Sequence, residues 1–146
     1  LSGPVNVHLE TVLDATDGFW SVSVNDVAPD GRSTVLTTGS LVASLRAIDD
    51  SKSTFTADGD YAEAYPVLTL ESRQPVVPGQ PVSLDISTLP TEAVLQPGHR
   101  LRVDVYAASV PRSLPLGPML NESGLRPQHL ELNPASPSFV TLPVVR

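Results

Sequence analysis

The sequence predicts an all-β fold, a jelly-roll β-sandwich with few or no helices. Three observations carry that expectation. The first is the 15 prolines in 146 residues, since each proline inside a helix costs about 3 kcal/mol. The second is a series of short runs in which apolar and polar residues alternate with a period of two, as in a strand with one buried face. The third is that Pro- and Gly-containing connectors separate these runs.

Taken in order, VNVHLETVL sets Val5, Val7 and Leu9 on one face and Asn6, His8 and Glu10 on the other. In FWSVSVNDV the inward set is Trp20, Val22 and Val24, with Phe19, Ser21 and Ser23 opposite, and the APDG that follows suits a tight turn. A second strand completes that hairpin. LVASLRAI fits two periods: Leu41, Leu45 and Ile48 match a helix, whereas Leu41, Ala43, Leu45 and Ala47 match a strand. The strand is preferred because Gly39 precedes it and its neighbours are β-rich. DDSKSTFTADGDYAEA, from Asp49 to Ala64, is polar and acidic without any period, which reads as a long surface loop and the least ordered part of the domain.

Strand signals resume in YPVLTLES and PVSLDIST, joined by QPVVPGQ, and LPTEAVLQPGH reads as an irregular turn. HRLRVDVYA alternates most cleanly, with Leu101, Val103 and Val105 inward and Arg100, Arg102, Asp104 and Tyr106 outward. SVPRSLPLGPMLNESGLRPQ carries the Pro and Gly of a crossing loop, and HLELN and FVTLPVV close the chain as strands. No fixed-period repeat is present, so residues 1–146 are expected to form a single domain, with roughly 70% of the unfolded surface buried.

Composition narrows the function. Apolar residues make up 40% and charged residues 17%, a globular balance. A net charge of −7 argues against nucleic acid, which requires a positive face. The absence of cysteine removes disulfides, thiol nucleophiles and thiolate zinc sites together. No apolar run approaches the ~20 residues of a membrane helix, and no membrane partner is expected.

The chemistry-bearing residues do not assemble into a motif. His8, His99 and His129 lie in separate segments, so the helix-borne zinc-protease pair is absent. His99, at a strand entrance, has two readings, a general base and a hydrogen-bonded turn residue, and the second needs fewer assumptions. GRSTV and GSLVAS lack the second glycine of a nucleophile elbow. Asp58 and Asp60, with Asp49 and Asp50 nearby, lack the alternating ligands and closing Glu of a calcium loop, so a solvated loop is preferred over a structural calcium site. Asp26, Arg46, Arg100 and Arg102 sit within apolar patterns and could form Asp–Arg clips between strands or lie on an outer face. Trp20, in register with valines, reads as core and not as a sugar platform. No catalytic, cofactor-binding or metal residue is assigned, and no cofactor is expected.

Several stretches together resemble one family. LSGPVNVHLE, DATDGFWSVSVNDV, DVAPDGRSTVLTTGSLVASLRA, PGHRLRVDVYAASVPR, PLGPMLNESG and NPASPSFVTLPVV are similar to the C-terminal domain of X-Pro dipeptidyl-peptidase and cocaine-esterase type (CocE/NonD) serine hydrolases. The resemblance covers nearly the whole chain. It implies a galactose-binding-domain-like jelly roll packed on an α/β-hydrolase catalytic domain earlier in the same polypeptide, where the Ser-Asp-His triad and oxyanion hole reside. No family catalytic residue maps onto this chain. The parent substrates so implied are small esters, amides or X-Pro peptides. The family usually begins with another strand before the SGPV motif, so an uncovered sheet edge and a possible dimer are expected. An exposed apolar patch where the catalytic domain packs is expected too. The rival reading is a free-standing carbohydrate-binding module, for which an aromatic content of 5% is thin.

Overall fold

The computed structural model describes residues 1–108 and 121–145. Eleven strands are formed among them: β1 (Ser2–Gly3), β2 (Asn6–Leu13), β3 (Phe19–Val27), β4 (Ser33–Val42), β5 (Thr54–Phe55), β6 (Tyr61–Glu63), β7 (Pro81–Ser87), β8 (Thr91–Glu92), β9 (Arg100–Tyr106), β10 (Gln128–Leu130) and β11 (Phe139–Thr141). Two antiparallel sheets enclose the core. In one, β3 runs between β4 and β9; in the other, β2 pairs with β7 along one edge, while β11 and β10 share its opposite edge.

Alternation explains which residues meet. Val7, Leu9 and Leu13 of β2 and Val82, Leu84 and Ile86 of β7 face Trp20, Val22 and Val24 of β3 and Leu41 of β4. Leu101, Val103, Val105 and Val140 close the margin of this core. The result is the expected all-β sandwich, with Trp20 as a core residue only 4% exposed. Its indole Nε1 has no hydrogen-bond partner among the described residues.

Close packing of β4 against the end of β7 requires a glycine. Gly39 stands opposite Val22 in β4, and a Cβ there would lie 2.7 Å from the Ser87 carbonyl oxygen and 3.1 Å from Thr88 Cα. Gly39 therefore lies inside a strand and does not introduce one.

Three expectations need correction. LVASLRAI is not a separate strand: β4 continues to Val42, and Ala43–Leu45 form a 3-10 turn. A long-range contact decides this, because the Asp17 carboxylate accepts both the Ser44 amide (2.9 Å) and the Ser44 hydroxyl (2.6 Å). The stretch from Asp49 to Ala64 contains the β5–β6 hairpin. Its turns are tied by polar groups: the Tyr61 hydroxyl donates to Asp50 (2.7 Å), Lys52 pairs with Asp49 (3.0 Å), and Ser51 donates to Asp49 (2.6 Å). YPVLTLES forms no strand beyond a single bridge from Pro66 to Ile48. Leu68 takes a left-handed φ of 53° that interrupts extended backbone, and Leu70 points into solvent. Most of the expected crossing loop, residues 109–120, lies outside the described residues.

Candidate functional site

The outer face of β2 carries a cluster of titratable groups. Asn6, His8 and Glu10 alternate outward, and the register of β7 sets Asp85 opposite His8 and Ser83 opposite Glu10. His8 Nδ1 lies 3.1 Å from Asp85 Oδ1, and His8 Nε2 lies 3.3 Å from Glu10 Oε1. The imidazole stacks on Phe139 of β11 with centroids 4.7 Å apart. Glu10 also accepts the hydroxyls of Ser83 (2.9 Å) and Ser136 (3.0 Å). Asn6 donates to Asp85 (2.9 Å) and accepts from Ser87, whose hydroxyl oxygen takes the Ala64 amide. The hydrogen bond to Asp85 holds the His8 pKa above its ordinary value, against the opposing effect of burial, with Glu10 adding to the rise.

The other histidines are likewise paired with carboxylates. His99 Nδ1 lies 2.7 Å from Asp26 Oδ1, and the His99 amide donates to Gln96 in the turn before β9. His99 therefore stands at a turn with both its ring and its amide hydrogen-bonded. His129 Nε2 lies 3.4 Å from Asp14. Each of the three histidine rings is thus paired with an Asp or Glu carboxylate.

The Asp–Arg clips take other partners than those anticipated. Asp26 pairs with His99, Arg102 with Asp104 on its own strand (2.9 Å), and Arg46 donates to the carbonyls of Ala43 and Gln74. Burial pushes the Arg46 pKa down, partly offset by Asp17. The arginine that does reach across the fold is Arg73, which approaches Asp17 at 3.5 Å and pairs with Glu122. Asp17, Val42, Ser44, Leu45, Leu70, Arg73 and Glu122 surround a small cavity of about 170 Å³. The Asp17 carboxylate is already engaged there by the amides of Gly18 and Ser44, the Ser44 hydroxyl and Arg73. Sequence reasoning missed this cluster, whose members are far apart in the chain and belong to no spacing motif.

Asp49 and Asp50 are engaged by Ser51, Lys52 and Tyr61. The Asp50 carboxylate keeps the Tyr61 phenol protonated, with its pKa pushed up to about 12. Among the described residues, no three His, Asp or Glu side chains are grouped to hold a metal.

A second concave surface is of a different kind. A groove of about 830 Å³ is lined mainly by Leu1, Val94, Leu95, Leu101, Leu142 and Val145. It lies beside the β1–β8 ladder, which extends one residue further because Leu1 and Ala93 exchange both backbone bonds (2.7 and 3.0 Å). Val94 is 82% exposed and Val145 71%.

Fold and site thus define an all-β sandwich module with paired histidines and an open apolar groove. Residues 1–141 match the family model of the X-Pro dipeptidyl-peptidase C-terminal non-catalytic domain, and the chain belongs to that family. A Mycobacterium bovis protein whose name ascribes it to the serine esterases is 34% identical over 110 residues, covering 74% of this chain and 17% of the relative. A similarly named Mycobacterium tuberculosis protein matches equally. The chain thus spans about a sixth of the length of these curated relatives. In fold it is similar to a CocE/NonD family hydrolase from Staphylococcus aureus, with a TM-score of 0.66, 18% identity, and coverage of 84% of this chain and 22% of that one. An α-amino acid ester hydrolase gives a TM-score of 0.68 at 19% identity, with 97% and 23% coverage.

Proposed function

We propose that this chain is the accessory C-terminal domain of a longer serine hydrolase, and that its apolar groove packs against the α/β-hydrolase catalytic domain of the same polypeptide. The match of residues 1–141 to a domain described as non-catalytic carries the reading. The exposed apolar side chains around the groove support a contact there. The parent reaction is acyl transfer from a small ester, amide or X-Pro peptide to a serine, followed by hydrolysis. This chain contributes rigidity and shape to that assembly, and the nucleophile, base and oxyanion donors come from the catalytic domain. The carbohydrate-module reading has less support, because Trp20 is sealed in the core.

The test compares Val94→Asp and Val145→Asp in the full-length hydrolase and in this chain alone. Both side chains are exposed, so the isolated domain should keep its melting temperature. The full-length enzyme should melt lower and release the domain more readily on limited proteolysis. This chain alone should turn over a p-nitrophenyl ester no faster than a boiled control. An unchanged full-length enzyme would overturn the docking site, as would a stable dimer of the isolated domain dispersed by the same substitutions. Turnover by the isolated domain would overturn the accessory role.

A further inference from the structure

The arrangement around His8 has a consequence independent of the catalytic partner. A neutral imidazole has one N–H donor and one lone pair. Here both ring nitrogens face carboxylate oxygens, Asp85 Oδ1 at 3.1 Å and Glu10 Oε1 at 3.3 Å. In either neutral tautomer, one lone pair would point at a carboxylate. Only the imidazolium, with two N–H groups, satisfies both contacts, and its positive face lies against the Phe139 ring at 4.7 Å. The groups involved come from each element packed around the ring. They are Glu10 and Asn6 on β2, Asp85 and Ser83 on β7, Phe139 on β11, and Ser136 in the segment leading to β11. Tyr61 of the β5–β6 hairpin lies close enough for Asp85 to act on it electrostatically.

β11 is three residues long and pairs only with β2 among the described residues. On the outer face, the Phe139 ring of β11 stacks on His8 of β2. Leu142, Val144 and Val145, which follow β11 directly, form one wall of the apolar groove.

We propose that His8 acts as a protonation-dependent clamp: as imidazolium it fastens β11 to β2 and β7, and on losing its proton as pH rises it loosens β11 and the groove wall that continues from it. The sign follows from linkage. A histidine whose pKa is higher in the folded state contributes its full stabilisation below the unfolded value of about 6.5 and loses it as pH rises through the folded value. The opposite case, a histidine buried neutral, would gain stability over the same range.

Nitrogen-15 NMR of the isolated chain tests this without any mutation. At pH 6 both His8 ring nitrogens should carry protons, and the titration midpoint should lie above about 6.5. Amide protection factors of Phe139, Val140 and Thr141, which correct for the intrinsic base catalysis of exchange, should fall severalfold across that titration, while those of β3 stay constant. Asp85→Asn should lower the midpoint, and His8→Gln should abolish the pH dependence of β11 protection. A single protonated ring nitrogen at pH 6, a midpoint at or below about 6.5, or β11 protection indifferent to the titration would each overturn the clamp. If a variant does not fold, the wild-type titration still decides.

Discussion

The Ser44 hydroxyl donates to the Asp17 carboxylate at 2.6 Å, in a place where Asp17 is 4% and Ser44 1% exposed. One carboxylate therefore fixes the entry to β3 and the end of β4 at once, because it also accepts the amides of Gly18 and Ser44. Replacing Asp17 with Ala leaves those donors buried and unpaired, and should destabilise the domain by about 2 to 4 kcal/mol in urea unfolding. Asp17→Asn keeps one acceptor oxygen and should cost less than Asp17→Ala.

Gly39→Ala tests the packing of β4 against the end of β7. The added methyl meets the backbone of Ser87 and Thr88, which cannot rotate away, and the Ile86 Cγ2 at 3.2 Å. The expected loss is about 1 to 3 kcal/mol by the same measurement, without loss of secondary structure by circular dichroism. Gly31→Ala is the contrasting case: nothing lies within 4 Å of its Cβ position, so any cost there comes from its φ of 86° and not from packing.

Acid stability should depend on Glu10. Burial raises its pKa, but the hydroxyls of Ser83 and Ser136 and the ring of His8 together outweigh that effect and hold it below the usual 4.5. A carboxyl lowered in the folded state stabilises above its unfolded pKa, and that contribution disappears as pH falls through the lowered value. Melting temperatures between pH 6 and pH 3 should therefore fall less steeply for Glu10→Gln than for the wild type, from a lower starting point.

Much of this framework was legible in the sequence, for a reason visible in β2, β7 and β9. Their side chains alternate with the pleat, so the pattern of valines and leucines names the buried face directly. The same rule put Asn6, His8 and Glu10 on the outer face. It could not reveal that Asp85 would stand opposite His8, since that depends on a register between residues 77 positions apart. The 3-10 turn at Ala43–Leu45 was hidden for a similar reason, its geometry being set by Asp17 on another loop. YPVLTLES shows the converse: its alternation is present, yet Leu68 and Leu70 are exposed, so the pattern found no sheet to join. The apolar groove gathers Leu1, Val94, Leu101 and Leu142, which no local pattern brings together.

The contact between the Ser2 amide and the Pro143 carbonyl, 2.9 Å, ties β1 to the segment that follows β11, two stretches 141 residues apart in sequence. Closing so long a loop costs chain entropy that only the assembled sandwich offsets. This seam therefore forms together with the two sheets and cannot precede them.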